Sequence, residues 1–123
     1  MPGKTVLLVD THEDSRAIYT TILEHHGFAV VASACYDEGV RLARERRPDV
    51  IFLEYGFPRA RSLDAALSLR SHAATARIPL VALSTAFSEA ERERALASGF
   101  ASYLVKPCPP LELLAEARRL AGR

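Results

Sequence analysis

Five short apolar runs alternate along the chain with segments of helical periodicity: Val6-Leu7-Leu8-Val9, Ala29 to Ser33, Val50-Ile51-Phe52-Leu53, Leu80-Val81-Ala82-Leu83 and Tyr103-Leu104-Val105. That rhythm predicts βαβ units wound into one parallel sheet, because parallel neighbours need a long crossover and a helix ordinarily supplies it. The third run is apolar without interruption, which predicts burial on both faces and a central place in the sheet. A chain of 123 residues, 49% of them hydrophobic, is one domain's length and can bury a core without disulfide or metal.

The intervening helices announce themselves by spacing and caps. Ile18, Tyr19, Ile22 and Leu23 recur at one-turn intervals in a first helix over about 14–26, and Gly27 stands where a left-handed C-terminal cap belongs. A second helix over 37–46 carries Tyr36, Val40 and Ala43 on one face, ends in a cluster of arginines and is stopped by Pro48. Strand three is expected over 49–53, followed by a loop over 54–61 and a third helix over 62–72 with Leu63, Ala66 and Leu69 inward and Ser62 as candidate cap. Ser88-Glu89-Ala90-Glu91 has the form of a capping box that opens a fourth helix, which should end at Gly99. The fifth strand is expected over 101–105, and Pro109-Pro110 should open a last helix bearing Leu113, Leu114, Ala117 and Leu120.

Parallel strands point their C-terminal ends to a single edge of the sheet. Asp10, Glu54, Ser84 and Lys106, each directly following an apolar run, should therefore share that edge, where ligand sites of open α/β sheets form. Function is expected there. The net charge of +1 is spread without a basic block, so direct nucleic-acid binding is not expected. No apolar stretch approaches membrane-spanning length, and no leader pattern precedes the first strand, which predicts a cytoplasmic protein without membrane attachment. Cys35 and Cys108 belong to no Cys/His cluster and are expected to be reduced thiols.

These landmarks together resemble the receiver domain of bacterial two-component response regulators. The Val-Asp end of strand one, an acid four residues before Pro58, Ser84 after strand four and the Tyr103-Leu104-Val105-Lys106-Pro107 run carry the resemblance, which spans nearly the whole chain. It implies a flavodoxin-like, doubly wound five-stranded parallel sheet in the order 2-1-3-4-5 with five helices. It also implies a part in phosphorelay signal transduction. In that family a strand-three aspartate accepts a phosphoryl group and two acids after strand one hold Mg²⁺. A hydroxyl residue after strand four and a lysine contact the phosphoryl group, and an aromatic in strand five switches rotamer. Those roles fall on Ser84, Lys106 and Tyr103 here, with the Lys106–Pro107 bond expected to be cis.

Two departures mark an atypical member. The acceptor position is Glu54 and the second acid is Thr11, while Arg59-Ala60-Arg61-Ser62 replaces the usual stretch after the proline and Gly56 stands where a backbone carbonyl helps hold the metal. Glutamate reaches roughly 1.5 Å further than aspartate, and misplacement by about 1 Å can cost on the order of a hundredfold in rate. The metal ligands reduce to Asp10, Glu54 and the Gly56 carbonyl, so no cofactor is expected and any Mg²⁺ binding should be weak. The same reach suggests a charge-assisted bond from Lys106 to Glu54 that holds the pocket in one arrangement.

The expected function is a phosphorylation-independent pseudo-receiver, a non-enzymatic module recognised by a sensor histidine kinase, an effector domain or a second copy through helix four, strand five and helix five. A working Mg²⁺-dependent phosphoacceptor is the alternative. A flavodoxin-like FMN binder ranks lower, because the loop from Asp10 to Arg16 has no glycine and carries Asp10, Glu13 and Asp14, which would repel a phosphate. Tyr103 is expected to be a half-buried aromatic of an edge strand, His12 a solvent-exposed loop histidine, and His25 and His26 helix-end residues; Arg59 and Arg61, beside the expected pocket, are left open between neutralising Glu54 or Asp10 and being solvated loop arginines.

Overall fold

In the computed structural model, which describes residues 3–56 and 59–122, the five apolar runs form five strands. These are β1 (Thr5–Val9), β2 (Ala29–Ser33), β3 (Val50–Glu54), β4 (Leu80–Ser84) and β5 (Ser102–Val105). The crossovers are α1 (Glu13–His25), α2 (Tyr36–Arg46), α3 (Arg59–Ser71), α4 (Glu89–Ala97) and α5 (Pro110–Leu120). All four strand pairings are parallel and the order is β2-β1-β3-β4-β5, the flavodoxin-like arrangement. Pro58 lies outside the described residues.

Alternation along each strand divides the interior into two layers. Val6, Leu8, Phe52, Val81 and Leu83 face Tyr19 and Leu23 of α1 and Leu113, Leu114 and Ala117 of α5. Leu7, Val9, Ile51, Leu53 and Ala82 face Ala43 of α2, Ala65, Ala66 and Leu69 of α3 and Ala95 of α4. Every residue of β3 and β4 is buried, as a continuous apolar strand requires, whereas the edge strands β2 and β5 are partly open. At Gly39 a Cβ would lie 2.6 Å from a Val9 methyl, so only glycine lets α2 approach β1 this closely.

The helix ends show where local signals suffice. Gly27 has φ of +96° directly after the C-cap of α1, as its position predicts. Tyr19 and Leu23 of α1 are buried, but Ile18 is largely exposed, so the inward stripe is narrower than the spacing suggests. The third helix departs further: α3 begins at Arg59, a turn ahead of Ser62, and Ser62 is a buried residue inside it instead of its cap. Half of the Ser88 capping box forms. The Ser88 hydroxyl accepts from the Glu91 amide at 3.3 Å, while the Glu91 carboxylate turns away to Arg59 at 2.7 Å and Arg94 at 3.1 Å. A guanidinium outcompetes a neutral amide for a carboxylate.

Candidate functional site at the strand tips

The shared parallel register carries Asp10, Glu54, Ser84 and Lys106 to one edge of the sheet, with Val9 beside Leu53, Glu54 beside Leu83 and Ser84 beside Val105. Asp10 follows β1 directly, its amide donating to Ser33 O at 3.0 Å, and the residue is completely buried. Such a carboxylate needs a cation. Lys106 supplies it: Nζ lies 2.9 Å from Asp10 Oδ2, in a close ion pair whose angles are not those of a directed hydrogen bond, and its side chain is 6% exposed.

This pairing corrects the expected Lys106–Glu54 bond. The Glu54 carboxylate turns to the neighbouring loop, where Oε1 accepts from the Thr11 amide at 2.7 Å and from the Thr11 hydroxyl at 2.8 Å. The reason is reach and competition. Asp10 stands beside the lysine with a short, buried side chain, and the extra methylene of Glu54 carries its carboxylate to the amide and hydroxyl of residue 11. Thr11, expected only as a lost ligand, is thus the group that holds Glu54.

The backbone around Glu54 is fixed from below. Its carbonyl oxygen accepts from Ser62 Oγ at 2.8 Å and Tyr36 OH at 2.9 Å, and the Gly56 amide donates to Ser62 Oγ at 3.2 Å. Burial raises the Tyr36 pKa, which keeps the phenol a donor. A Cβ at Gly56 would sit 3.0 Å from Glu54 Oε2, so the glycine leaves room for the longer acid. Sequence reasoning missed the Tyr36–Ser62 clip, because Tyr36 reads as a core residue and Ser62 as a cap. Their roles depend on α2 and α3 meeting beside β3.

Ser84 is buried and its hydroxyl accepts from the Ala86 amide at 3.0 Å, and its carbonyl accepts from the Lys106 amide at 2.7 Å. Tyr103 is half-buried on the edge strand, as expected, and donates to Ala86 O at 2.7 Å while its ring meets Tyr55 edge-on at 5.8 Å. The Lys106–Pro107 peptide bond is cis. Arg59 pairs with Glu91, and Arg61 lines the recess beside Thr11, Glu54 and Gly56. Cys35 is exposed and Cys108 buried, both as free thiols, with burial pushing the Cys108 thiol up to about 12.

His12 is the residue whose place the sequence least reveals. Its side chain is 61% exposed, as a loop histidine should be, yet Nδ1 lies 3.5 Å from Asp10 Oδ1 and 3.6 Å from Glu54 Oε2. The turn that brings it there is local, since the His12 amide donates to Asp10 Oδ1 at 2.9 Å. An Asp-x-His spacing at a strand end was the available signal. The donors facing the gap are therefore two carboxylates and an imidazole nitrogen. Mg²⁺ takes oxygen ligands in a near-ideal octahedron, and Thr11, whose hydroxyl donates to Glu54 Oε1, offers only a neutral oxygen in place of a further carboxylate. These residues fit Mg²⁺ poorly.

A model of the response regulator receiver domain matches residues 6–118. The phosphate regulon transcriptional regulatory protein PhoB of Klebsiella pneumoniae is 32% identical over 98% of the chain, which spans 53% of that protein, about half the length of the curated relatives of this type. Protein PilH of Pseudomonas aeruginosa is 30% identical over 89% of the chain and 90% of its own length. The crystal structure of a response regulator from Desulfuromonas acetoxidans superposes with a TM-score of 0.88 at 28% identity, covering 97% of each chain. The receiver domain of a sensor histidine kinase from Pseudomonas aeruginosa, solved with a magnesium ion in its active-site cleft, gives 0.88 at 27% identity over 98% of this chain and 99% of that one.

Proposed function

Since this chain belongs to the response regulator receiver domain family, we propose that it serves two-component signalling as a phosphorylation-independent interaction module, a pseudo-receiver whose output does not wait for a phosphoryl group. The observation that carries this reading is the Glu54 carboxylate tied through Oε1 to both the amide and the hydroxyl of Thr11. Acyl phosphate formation needs a carboxylate oxygen placed in line with the donor phosphorus. Here the longer side chain is turned toward the β1 loop, with its second oxygen, Oε2, 3.6 Å from His12 Nδ1. The charge that a phosphoryl group would bring to Lys106 is supplied by Asp10.

On this reading the partners are proteins: a sensor histidine kinase, an effector domain, or a second copy meeting through α4, β5 and α5. That face carries Phe87, 91% exposed, and Leu111, 81% exposed, beside Arg92 and Tyr103. The protein acts without enzymatic turnover and without a cofactor, in the cytoplasm of a bacterium. Among the described residues no helix is long and apolar enough to cross a membrane. The test is incubation with acetyl phosphate and Mg²⁺ followed by intact mass measurement. No durable adduct is expected; a stoichiometric phosphoryl adduct on Glu54 would instead make the chain a working phosphoacceptor.

A further inference from the structure

We propose that Asp10, His12 and Glu54 form a binding site for a borderline divalent transition metal such as Zn²⁺ or Co²⁺, selected over Mg²⁺ by the His12 imidazole. One ligand atom from each of the three residues lies within 4.8 Å of the others. The two measured separations, 3.5 Å from Nδ1 to Asp10 Oδ1 and 3.6 Å to Glu54 Oε2, can be compared with coordination geometry. Bonds of about 2.0–2.1 Å place neighbouring ligands roughly 3.3–3.4 Å apart in a tetrahedron and roughly 2.9–3.0 Å apart in an octahedron. Both separations from Nδ1 are closer to the tetrahedral spacing than to the octahedral one.

The surroundings are those of a prepared site. Lys106 holds Asp10 Oδ2 and the His12 amide donates to Asp10 Oδ1 at 2.9 Å, while Thr11 holds Glu54 Oε1 and leaves Oε2 facing the imidazole. Partners of this kind orient metal ligands. Asp10 is completely buried and Glu54 is 8% exposed, so their orientation is not set by solvent. His12, 61% exposed, leaves the fourth position open to water or to a partner's side chain. The two carboxylates face Lys106 and the Arg16 guanidinium, which donates to Asp10 O at 2.8 Å, so selection of a metal rests on ligand type and not on excess charge. Imidazole nitrogen suits late first-row metals, whereas Mg²⁺ prefers carboxylate, carbonyl and water oxygen. The competing arrangement is His12 resting against the two acids with no metal between them.

The site involves no phosphoryl chemistry, so it is tested without any phosphodonor, separately from the reading above. Co²⁺ is titrated into the full chain while its visible ligand-field absorption is recorded. Intense tetrahedral-type bands with one equivalent bound are expected, and about a hundredfold excess of Mg²⁺ should leave them in place. His12→Ala should weaken binding about a hundredfold or more, since loss of a mere outer partner already costs about ten- to a hundredfold. The double variant His25→Ala, His26→Ala and the variant Cys35→Ser should bind as the parent does. Equal binding by His12→Ala, loss of binding in either control, or displacement by Mg²⁺ at matching concentration would each overturn the site. A flat titration would overturn it as well.

Discussion

At the tips of β1 and β3 the polar groups are buried and tied to one another, whereas across the β4 tip the chain leaves Phe87 almost fully exposed and anchors α4 through Ala95, the buried residue of that helix. Both regions belong to the same sheet edge. Around β1 and β3, a buried ion pair, two bonds from Thr11 and the Tyr36–Ser62 clip over-determine the position of Glu54. Around α4 the ties are the half capping box, surface ion pairs and the Tyr103 bond to Ala86. Arg59 joins the two regions through Glu91. The difference locates rigidity at the pocket and adjustability at the face proposed to meet partners, since regions with few buried contacts open at low free-energy cost.

The largest effect should come from Lys106→Met. Removing the ammonium leaves the completely buried Asp10 carboxylate without its cation and close to Glu54, which should cost about 3–5 kcal/mol of unfolding free energy in urea titrations. A cost under about 1 kcal/mol would mean that the pocket is no more constrained than the α4 side. Asp10→Asn should cost less than Lys106→Met, because it removes one of two mutually repelling acids at the same time as the pair.

Next in size is a gain of activity. Thr11→Asp combined with Glu54→Asp shortens the acid, removes the hydroxyl that holds it and restores a second carboxylate. Acyl phosphate formation from acetyl phosphate should then rise on the order of a hundredfold above the parent chain. No rise would place the block elsewhere in the pocket.

An effect confined to alkaline solution should come from Cys108. The folded thiol, with its pKa raised mainly by burial to about 12, stays protonated where the unfolded thiol, near its ordinary value of 9.0, has ionised. The unfolded state then binds fewer protons, so this contribution is present below about pH 9 and is lost as pH rises toward 12. Urea midpoints measured across that range should fall less steeply in Cys108→Ala than in the parent. At neutral pH iodoacetamide should label Cys35 and spare Cys108.

The smallest effects belong to the α4 side. Tyr103→Phe removes the bond to Ala86 O and should cost about 1 kcal/mol. Arg92→Ala breaks only an exposed ion pair with Glu89 and should stay within about 0.5 kcal/mol. If either substitution proved as costly as Lys106→Met, the contrast between a fixed pocket and an adjustable face would fail.

The sequence by itself determined the alternation of strands and helices, the central place of β3, the glycine cap after α1, and the gathering of Asp10, Glu54, Ser84 and Lys106 at one edge. Those features are written in short-range periodicity and in the direction that every parallel strand shares. It did not determine which acid Lys106 would pair with, that Ser62 and Tyr36 would clip Glu54, where α3 would begin, or that His12 would face both carboxylates. The partner of Lys106, the clip on Glu54 and the approach of His12 to Glu54 depend on side-chain reach measured across strands and helices far apart in the chain. One methylene in Glu54 and the turn at Asp10 shift partners by ångströms that linear spacing does not encode, and only packing of the tertiary structure decides between them.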